Sequence, residues 1–187
     1  YDDDIKQLPR IPVERVAKIF DKSLGLLVQN RHAIPMNLLT SKLSHPRELR
    51  VLLFLFMERT SAVEPLMMAP YEDNMVELYS EYKPDELLHF LKSKSNYNVE
   101  KAIEICSANE GLYNELIYLW GKIGEAKKAL SLIIDKLDNP QLAIQFVKDS
   151  KDTDLWEFLV SYSMDKSKFI KALLEAHDEF GNTTVEI

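Results

Sequence analysis

Apolar residues recur at helical spacing along most of this chain, and the pattern is clearest around residues 112–137. One stripe follows the spacing i, i+4, i+7, i+8 and i+11, which is a single face of an α-helix. Its members are Leu112, Leu116, Leu119, Trp120 and Ile123. Gly124 can end this helix in a left-handed conformation, and a second stripe runs from Ala126 to Leu137. The sequence therefore predicts a tight antiparallel helix pair.

Each helix of this pair also carries apolar residues away from its main stripe. These residues are Ile117, Tyr118, Leu132 and Ile134. A helix that is apolar on two faces needs neighbours on both sides to bury them. The pair is therefore expected to be one unit within an array of helices, and the residues that follow it supply the neighbours.

Three further helices are predicted after the pair. Asn139-Pro140 is a helix start, because Asn accepts from free amides and Pro is preset for the first helical position. Residues Asp154 to Glu157 offer an acidic cap with a glutamate three positions on. The segment SMDKSKFIKALLEA, residues 163–176, then carries a fifth apolar stripe and runs toward Gly181.

Upstream, helical periodicity continues less regularly, with Pro or Asn near the start of several segments. The predicted helices there are Val13–Gln29, Pro35–Leu43, Pro46–Thr60, Met75–Tyr82 and Asp85–Lys94. The stretch SAVEPLMMAPYEDN, residues 61–74, is predicted to be a loop because it combines two prolines with polar residues. About ten helices are expected in all.

A divergent repeat of about 40 residues links the later helices. Residues 98–120 and 139–162 share Asn, Ala and Ile at an offset of 41, as in Ala102 and Ala143. A small residue recurs in LysAlaIle, LysAlaLeu and LeuAlaIle triplets, where it lets two helices approach closely. A period near 40 is typical of helix-pair repeats. We therefore expect an all-α fold, an α-solenoid of antiparallel helix pairs spanning 1–187, less regular over 1–70 and regular over 71–180.

Charge and composition narrow the possible functions. The 187 residues carry 23 Lys and Arg against 30 Asp and Glu, a net charge of -7 that argues against nonspecific nucleic-acid or anionic-membrane binding. The longest apolar run, Val51–Met57, is far shorter than a spanning helix. The opening YDDDIK lacks a secretory-signal pattern, and the chain is expected to be part of something longer. The more basic N-terminal half, with Arg31, Lys42, Arg47 and Arg50, leaves open an interaction surface or a solvated face.

No constellation of residues predicts catalysis or ligand binding. The chain has no phosphate-binding loop, no GxGxxG and no GxSxG, and its four histidines form no HxxxH or HExxH motif. The single cysteine can form no internal disulfide, which fits a reducing compartment. Three further groups are assigned structural roles: scattered carboxylates cap helices, Asp2 to Asp4 form a solvated end, and aromatic residues pack between helices. The residues considered are His32, His45, His89, His177, Cys106, Asp152, Asp154, Glu175, Asp178, Glu179, Tyr118, Trp120, Trp156 and Tyr162. We expect no catalytic, cofactor-binding or metal-ligating residue, and no cofactor.

Three segments together resemble the clathrin-heavy-chain repeat of the vacuolar protein sorting-associated protein 41 family. They are ELYSEYKPDELLHFLKSK, NVEKAIEIC and the stretch from ELIYLWGKIGEAKKAL to DKSKFIKALL. The resemblance covers roughly residues 71–176 and is most specific at 102–106, 124–130 and 155–166. Ser167 and Trp120 depart from the family pattern, which expects a proline and an aliphatic residue there.

The resemblance implies a non-enzymatic scaffold from a subunit of the HOPS tethering complex. It implies action in vesicle-mediated protein transport and membrane fusion, in the cytoplasm at the surface of the vacuole, lysosome or late endosome. Implied partners are other tethering subunits, a second copy of the chain and, through the full-length protein, a Rab GTPase and an adaptor complex. Two alternatives remain open: a clathrin-like coat component, and the non-catalytic arm of a ubiquitin ligase whose RING domain lies elsewhere.

Overall fold

The computed structural model describes the backbone of residues 12–43 and 47–181, and within this part every regular element is helical. The α-helices are α1 Val13–Ile19, α2 Asp21–Gln29, α3 Met36–Leu43, α4 Arg47–Val63, α5 Pro65–Met68, α6 Glu72–Tyr82, α7 Pro84–Ser93, α8 Val99–Ala108, α9 Tyr113–Lys122, α10 Ala126–Leu132, α11 Pro140–Ser150, α12 Thr153–Tyr162 and α13 Ser167–Gly181. Short 3₁₀ turns span Arg31–Ala33 and Ala69–Tyr71, and a π-helical turn at Ile133–Leu137 extends α10. The described part thus holds more helices than predicted, because Phe20 interrupts one predicted helix and α5 is new.

The chain forms two compact units, Tyr1–Asn98 and Val99–Ile187. We call them the N-terminal unit and the C-terminal unit. The division predicted near residue 70 lies inside the N-terminal unit. The continuity of one solenoid fragment over 1–187 stays a prediction.

The loop predicted over residues 61–74 is wrong. Helix α4 continues to Val63, α5 follows at once, and a 3₁₀ turn leads into α6 at Glu72. Pro65 and Pro70 occupy the first turns of these short helices, where the missing amide hydrogen would be unpaired anyway. The prolines therefore start helices here instead of marking a loop, and Met68 between them is fully buried.

Helix α4 is the centre of the N-terminal unit, and α1, α2, α3, α5 and α6 all contact it. Arg50 near the start of α4 pairs with Glu77 and Glu81 of α6, while Glu58, two turns further on, pairs with Lys83 just after α6. Positions advance together on both helices, so α4 and α6 lie side by side and run in the same direction. Such an arrangement is expected in stacked helix pairs, where every second helix is equivalent.

The C-terminal unit repeats this arrangement with α10 and α12. Lys127 at the start of α10 lies over the ring of Phe158, with 5.9 Å between its ammonium nitrogen and the ring centroid. Two turns later, Asp135 accepts hydrogen bonds from Tyr162 and Lys166. Helices α10 and α12 are therefore parallel neighbours, and α11, which contacts both α12 and α13, lies between them in sequence.

The small residues of the repeat are buried, as predicted. Ala102, Ala129, Ala143 and Ala172 are at most 8% exposed, each on a different helix of the C-terminal unit. Two of them, Ala143 and Ala172, share one apolar cluster with Leu130, Ile133, Leu155, Leu159 and Phe169. Alanine at these positions allows helices to pack closely, because no longer side chain separates them.

Helix ends follow the predicted signals with one correction. Gly124 has φ +82°, the left-handed conformation expected after α9, and Asn139 accepts a hydrogen bond from the amide of Leu142 at 3.0 Å. The acidic cap of α12 is Asp152, not Asp154, because its carboxylate accepts the amide of Asp154 at 2.9 Å. The cap lies two residues earlier than predicted because Lys151 adopts φ +53° and ends α11 there.

Candidate interaction surfaces

The histidines do not form a site. His32 is exposed and its Nε2 atom lies 3.1 Å from Glu64, which also pairs with Arg31. His89 is exposed on α7. His45 lies outside the described residues, as does the side chain of His177, so no structural role is assigned to either.

The cysteine and the carboxylates considered as candidate site residues are also dispersed. Cys106 is fully buried, and burial, aided by the charge of Glu115, raises the pKa of its thiol to about 12. Glu175 is exposed, Asp2 to Asp4 lie outside the described part, and so do the side chains of Asp178 and Glu179. Within the described part, no three His, Cys, Asp or Glu side chains are grouped so as to hold a metal ion.

The aromatic residues differ in how far they are buried. Trp156 packs against the apolar cluster of the C-terminal unit, but it is only partly buried, as is Trp120, whose ring lies 4.5 Å from the ammonium nitrogen of Lys128. Tyr162 is 41% exposed and stacks on Phe158 at 5.1 Å. Core packing therefore accounts for Trp156, whereas Tyr162 is more exposed and reaches the neighbouring π-helical turn through its hydroxyl, which donates to Asp135.

A polar network surrounds the π-helical turn. The hydroxyl of Tyr162 donates to Asp135 at 2.6 Å, and Lys166 donates to Asp135 and to the carbonyl of Ile134. Lys168 similarly donates to the backbone and carboxylate of Asp138. These bonds satisfy carbonyls at the end of a wider helical turn, where regular bonding is interrupted. The hydrogen bonds from Lys166 and then Tyr162 lower the pKa of Asp135.

A second apolar stripe lies on α1 and α2, away from their packed face. It consists of Ile19, Phe20, Ser23, Leu26 and Leu27, at the spacing i, i+1, i+4, i+7 and i+8. We call it the α1–α2 stripe. Its four apolar members are exposed by 67%, 40%, 61% and 41%, in sequence order. Sequence reasoning assigned this whole region to one amphipathic helix and missed the second stripe, which its own periodicity could have indicated.

The packed face of α1 and α2 is separate from this stripe. Val13, Val16 and Leu24 are buried there. The one-residue interruption at Phe20 keeps the helical register, because its amide donates to Val16 at 3.0 Å and its carbonyl accepts from Leu24 at 2.8 Å. The α1–α2 stripe is therefore continuous across the interruption and exposed within the described structure.

These features define a class of protein. Parallel neighbouring helices in each unit, buried small residues at the repeat positions and an exposed apolar stripe are typical of helical-repeat proteins that offer surfaces to other proteins. No helix among the described residues is long and apolar enough to cross a membrane.

Comparison with known proteins gives the family. A family profile described as the Vps41 TPR-like region matches residues 2–184, so the chain belongs to this family and the all-α solenoid fold is confirmed. Vacuolar protein sorting-associated protein 41 of Saccharomyces cerevisiae is 48% identical over 182 residues, which are 96% of this chain and 18% of the yeast protein. Its homologues in tomato and human are 38% and 30% identical, each over 82% of this chain and 16% and 18% of their own lengths.

The chain spans less than a fifth of the length of these relatives. No solved structure matches it.

Proposed function

We propose that this chain is a non-enzymatic scaffold segment of a HOPS tethering subunit, acting in vesicle-mediated protein transport and membrane fusion at the vacuole, lysosome or late endosome. The observation that carries the proposal is the match of the Vps41 TPR-like region to nearly the whole chain, with relatives named for vacuolar protein sorting. The proposed location is the cytoplasmic surface of these organelles. Other tethering subunits are the proposed partners, together with a second copy of the chain.

The described structure supports a scaffold in physical terms. Helix pairs stacked through buried alanines are rigid, and their outer residues are free to vary without disturbing the core. Among the polar groups considered for chemistry, Asp152 caps α12, His32 lies beside Glu64, and Cys106 is buried. Binding of a Rab GTPase and of an adaptor complex is proposed for the full-length protein. This segment need not supply the surfaces for these two partners.

Affinity capture tests the proposal directly. The folded chain is immobilised and exposed to lysate enriched in vacuoles or lysosomes, and bound proteins are identified by mass spectrometry. Enrichment of tethering subunits or of the full-length parent is expected. Recovery of clathrin light chains would instead support the coat alternative, and ubiquitin transfer by the chain alone would contradict the scaffold.

A capture control should keep the fold and remove only surface contacts. A chain with Leu66→Ser serves on the N-terminal unit, because Leu66 is 87% exposed and its replacement leaves the core unchanged. Recovery of the same tethering subunits on an unrelated helical-repeat protein, under the same washing conditions, would show that capture was nonspecific.

A further inference from the structure

A row of cations borders the α1–α2 stripe on one side. Arg15, Lys18 and Lys22 are exposed and follow the spacing i, i+3 and i+7 along the same two helices. Arg15 precedes Ile19 by four residues and Lys22 precedes Leu26 by four, so each lies one turn from an apolar member. Apolar and cationic positions are therefore arranged as two adjacent parallel rows.

The three cations have no acidic partner within the described structure. Nearby Asp21 is already paired with Arg59, with 2.9 Å between the carboxylate and the guanidinium. Residues 12–43 carry five Lys and Arg against two Asp and Glu, although the whole chain is acidic. The positive charge beside the α1–α2 stripe is thus both local and unbalanced, and a partner with acidic groups along one edge would complement it.

The geometry favours a helix as the occupant. Ile19 and Leu27 are eight residues apart, so the stripe is about 12 Å long, or a little over two helical turns. A helix with apolar residues at i, i+3, i+4 and i+7 presents a straight row of this length. We infer that the α1–α2 stripe binds an acidic amphipathic helix of another protein, with its apolar row on Leu26 and its acidic edge facing Lys22.

An anionic membrane fits the same residues less well. Lipid-binding clusters carry about four to eight basic residues, whereas this edge has three. Interfacial helices also have a broad polar face rich in Lys and Arg, while here Glu14 and Asp21 lie beyond the cationic row. The inference rests on the proposed scaffold function and assigns one surface and one class of partner to it.

Selection from a displayed library of helical peptides, randomised at both apolar and charged positions, tests the inference without a known partner. The bait is the 187-residue chain. Enriched peptides are expected to be apolar at i, i+3, i+4 and i+7 with Asp or Glu along one edge. Absence of enrichment, or enrichment of peptides without the acidic edge, would overturn the inference.

Matched variants then locate the binding. Leu26→Glu should weaken the selected peptides at least about tenfold, while Leu174→Glu, at a leucine 65% exposed on α13, should leave their affinity unchanged. Lys22→Glu should also weaken binding, and a peptide with Lys in place of its edge Glu should restore it. Circular dichroism checks that each variant remains folded. Equal binding by Leu26→Glu and the unmodified chain contradicts the inference.

Two further measurements separate the other occupants. If phosphatidylserine vesicles bind the original chain but not the Leu26→Glu variant, the occupant is a membrane surface. If the original chain sediments as a dimer and the Leu26→Glu variant as a monomer, the occupant is a second copy. Either result overturns the acidic helix. If the Leu26→Glu variant still captures tethering subunits, the scaffold function stands even where the inference about the α1–α2 stripe is contradicted.

Discussion

The two units pack helices in the same way but fill their cores with different side chains. The N-terminal unit has a core of large residues, with buried Phe54, Phe56, Met57 and Met75. The C-terminal unit has the buried Ala143 and Ala172 among Leu and Ile side chains. Large aromatic residues fill the space between widely separated helices, whereas alanine allows helices to lie close together. One repeat architecture therefore tolerates two packing solutions, provided that each fills its own volume.

The ion pairs of the two units differ in how far their side chains are buried. All six arginines of the chain precede residue 60, and the Arg50 side chain is only 20% exposed where it bridges two glutamates. Burial acts to lower the pKa of Arg50, but its hydrogen bonds and charge interactions with Glu77 and Glu81 raise the pKa overall. In the C-terminal unit, Lys168 and Asp138 are both at least 60% exposed. Ion pairs should therefore matter to packing in the N-terminal unit and little in the C-terminal unit.

The largest predicted effect compares one phenylalanine from each core. Phe54→Ala and Phe169→Ala should each cost about 3 to 5 kcal/mol in the stability of their own unit, because both side chains are fully buried. Phe54 should lie at the upper end, since its ring contacts Tyr79 edge to face at 5.1 Å and stacks on Tyr82 at 5.7 Å. Hydrogen exchange followed by mass spectrometry measures the opening free energy of each unit separately.

The control for this comparison is an exposed apolar residue in each unit. Val63→Ala and Leu174→Ala should change the opening free energies by less than about 0.5 kcal/mol, because both side chains are at least 60% exposed. A greater loss from Phe169→Ala than from Phe54→Ala would show that the aromatic contacts of the N-terminal unit add nothing to its stability.

The next effect tests the small residues that distinguish the C-terminal unit. Ala143→Leu should cost about 1 to 3 kcal/mol, because the fully buried methyl group leaves no space for three more carbons between helices. Ala108→Leu, at the exposed end of α8, is the matched control and should be nearly neutral. Chemical denaturation of both variants provides the measurement. Equal stability of the two would mean that alanine is not needed for close packing.

Much of this contrast was predictable from sequence. Helical periodicity predicted most helices, and the recurring alanines predicted buried contacts, because both depend on local spacing. Gly124 and Asn139 were correctly interpreted for the same reason. Resemblance supplied the family, which the family profile confirms.

Other features depend on contacts that periodicity does not contain. A helix and a loop with the same prolines look alike in sequence, so residues 61–74 were misassigned. Helical phase placed Tyr162 on the apolar face of α12, but it could not show that the side chain is 41% exposed with its hydroxyl donating to Asp135. The α1–α2 stripe was missed because the sequence pattern of a second apolar face is the same whether that face is buried or exposed. Only the tertiary neighbours decide between them.

A smaller effect compares the ion pairs of the two units. Arg50→Met should cost about 1 to 2 kcal/mol, since Glu77 and the less exposed Glu81 lose a shared donor. Lys168→Met should cost less than about 0.5 kcal/mol, because its partner remains solvated. Urea unfolding, repeated with high salt, gives both values. A larger cost for Lys168→Met would reverse the proposed difference between the units.

The smallest effect is a pH dependence confined to the C-terminal unit. The pKa of Asp135 lies below its ordinary 3.8, because Lys166 and Tyr162 donate to the carboxylate. Folding therefore favours the ionised form, and the stabilisation is complete above the ordinary pKa and disappears as pH falls through the lowered value. Asp135→Asn removes this dependence. Its unfolding free energy should thus approach that of the original chain on acidification below about pH 4, in paired urea titrations.

Solvent exposure limits the size of this effect, because Asp135 and Lys166 are 41% and 35% exposed and water screens their charges. Lys168→Met provides a matched comparison, as it alters a neighbouring exposed pair without touching Asp135. That variant should keep the acid-dependent difference unchanged. A difference between the original chain and Asp135→Asn that stays constant from pH 7 to pH 3 would mean that the hydrogen bonds stabilise the π-helical turn equally in both protonation states.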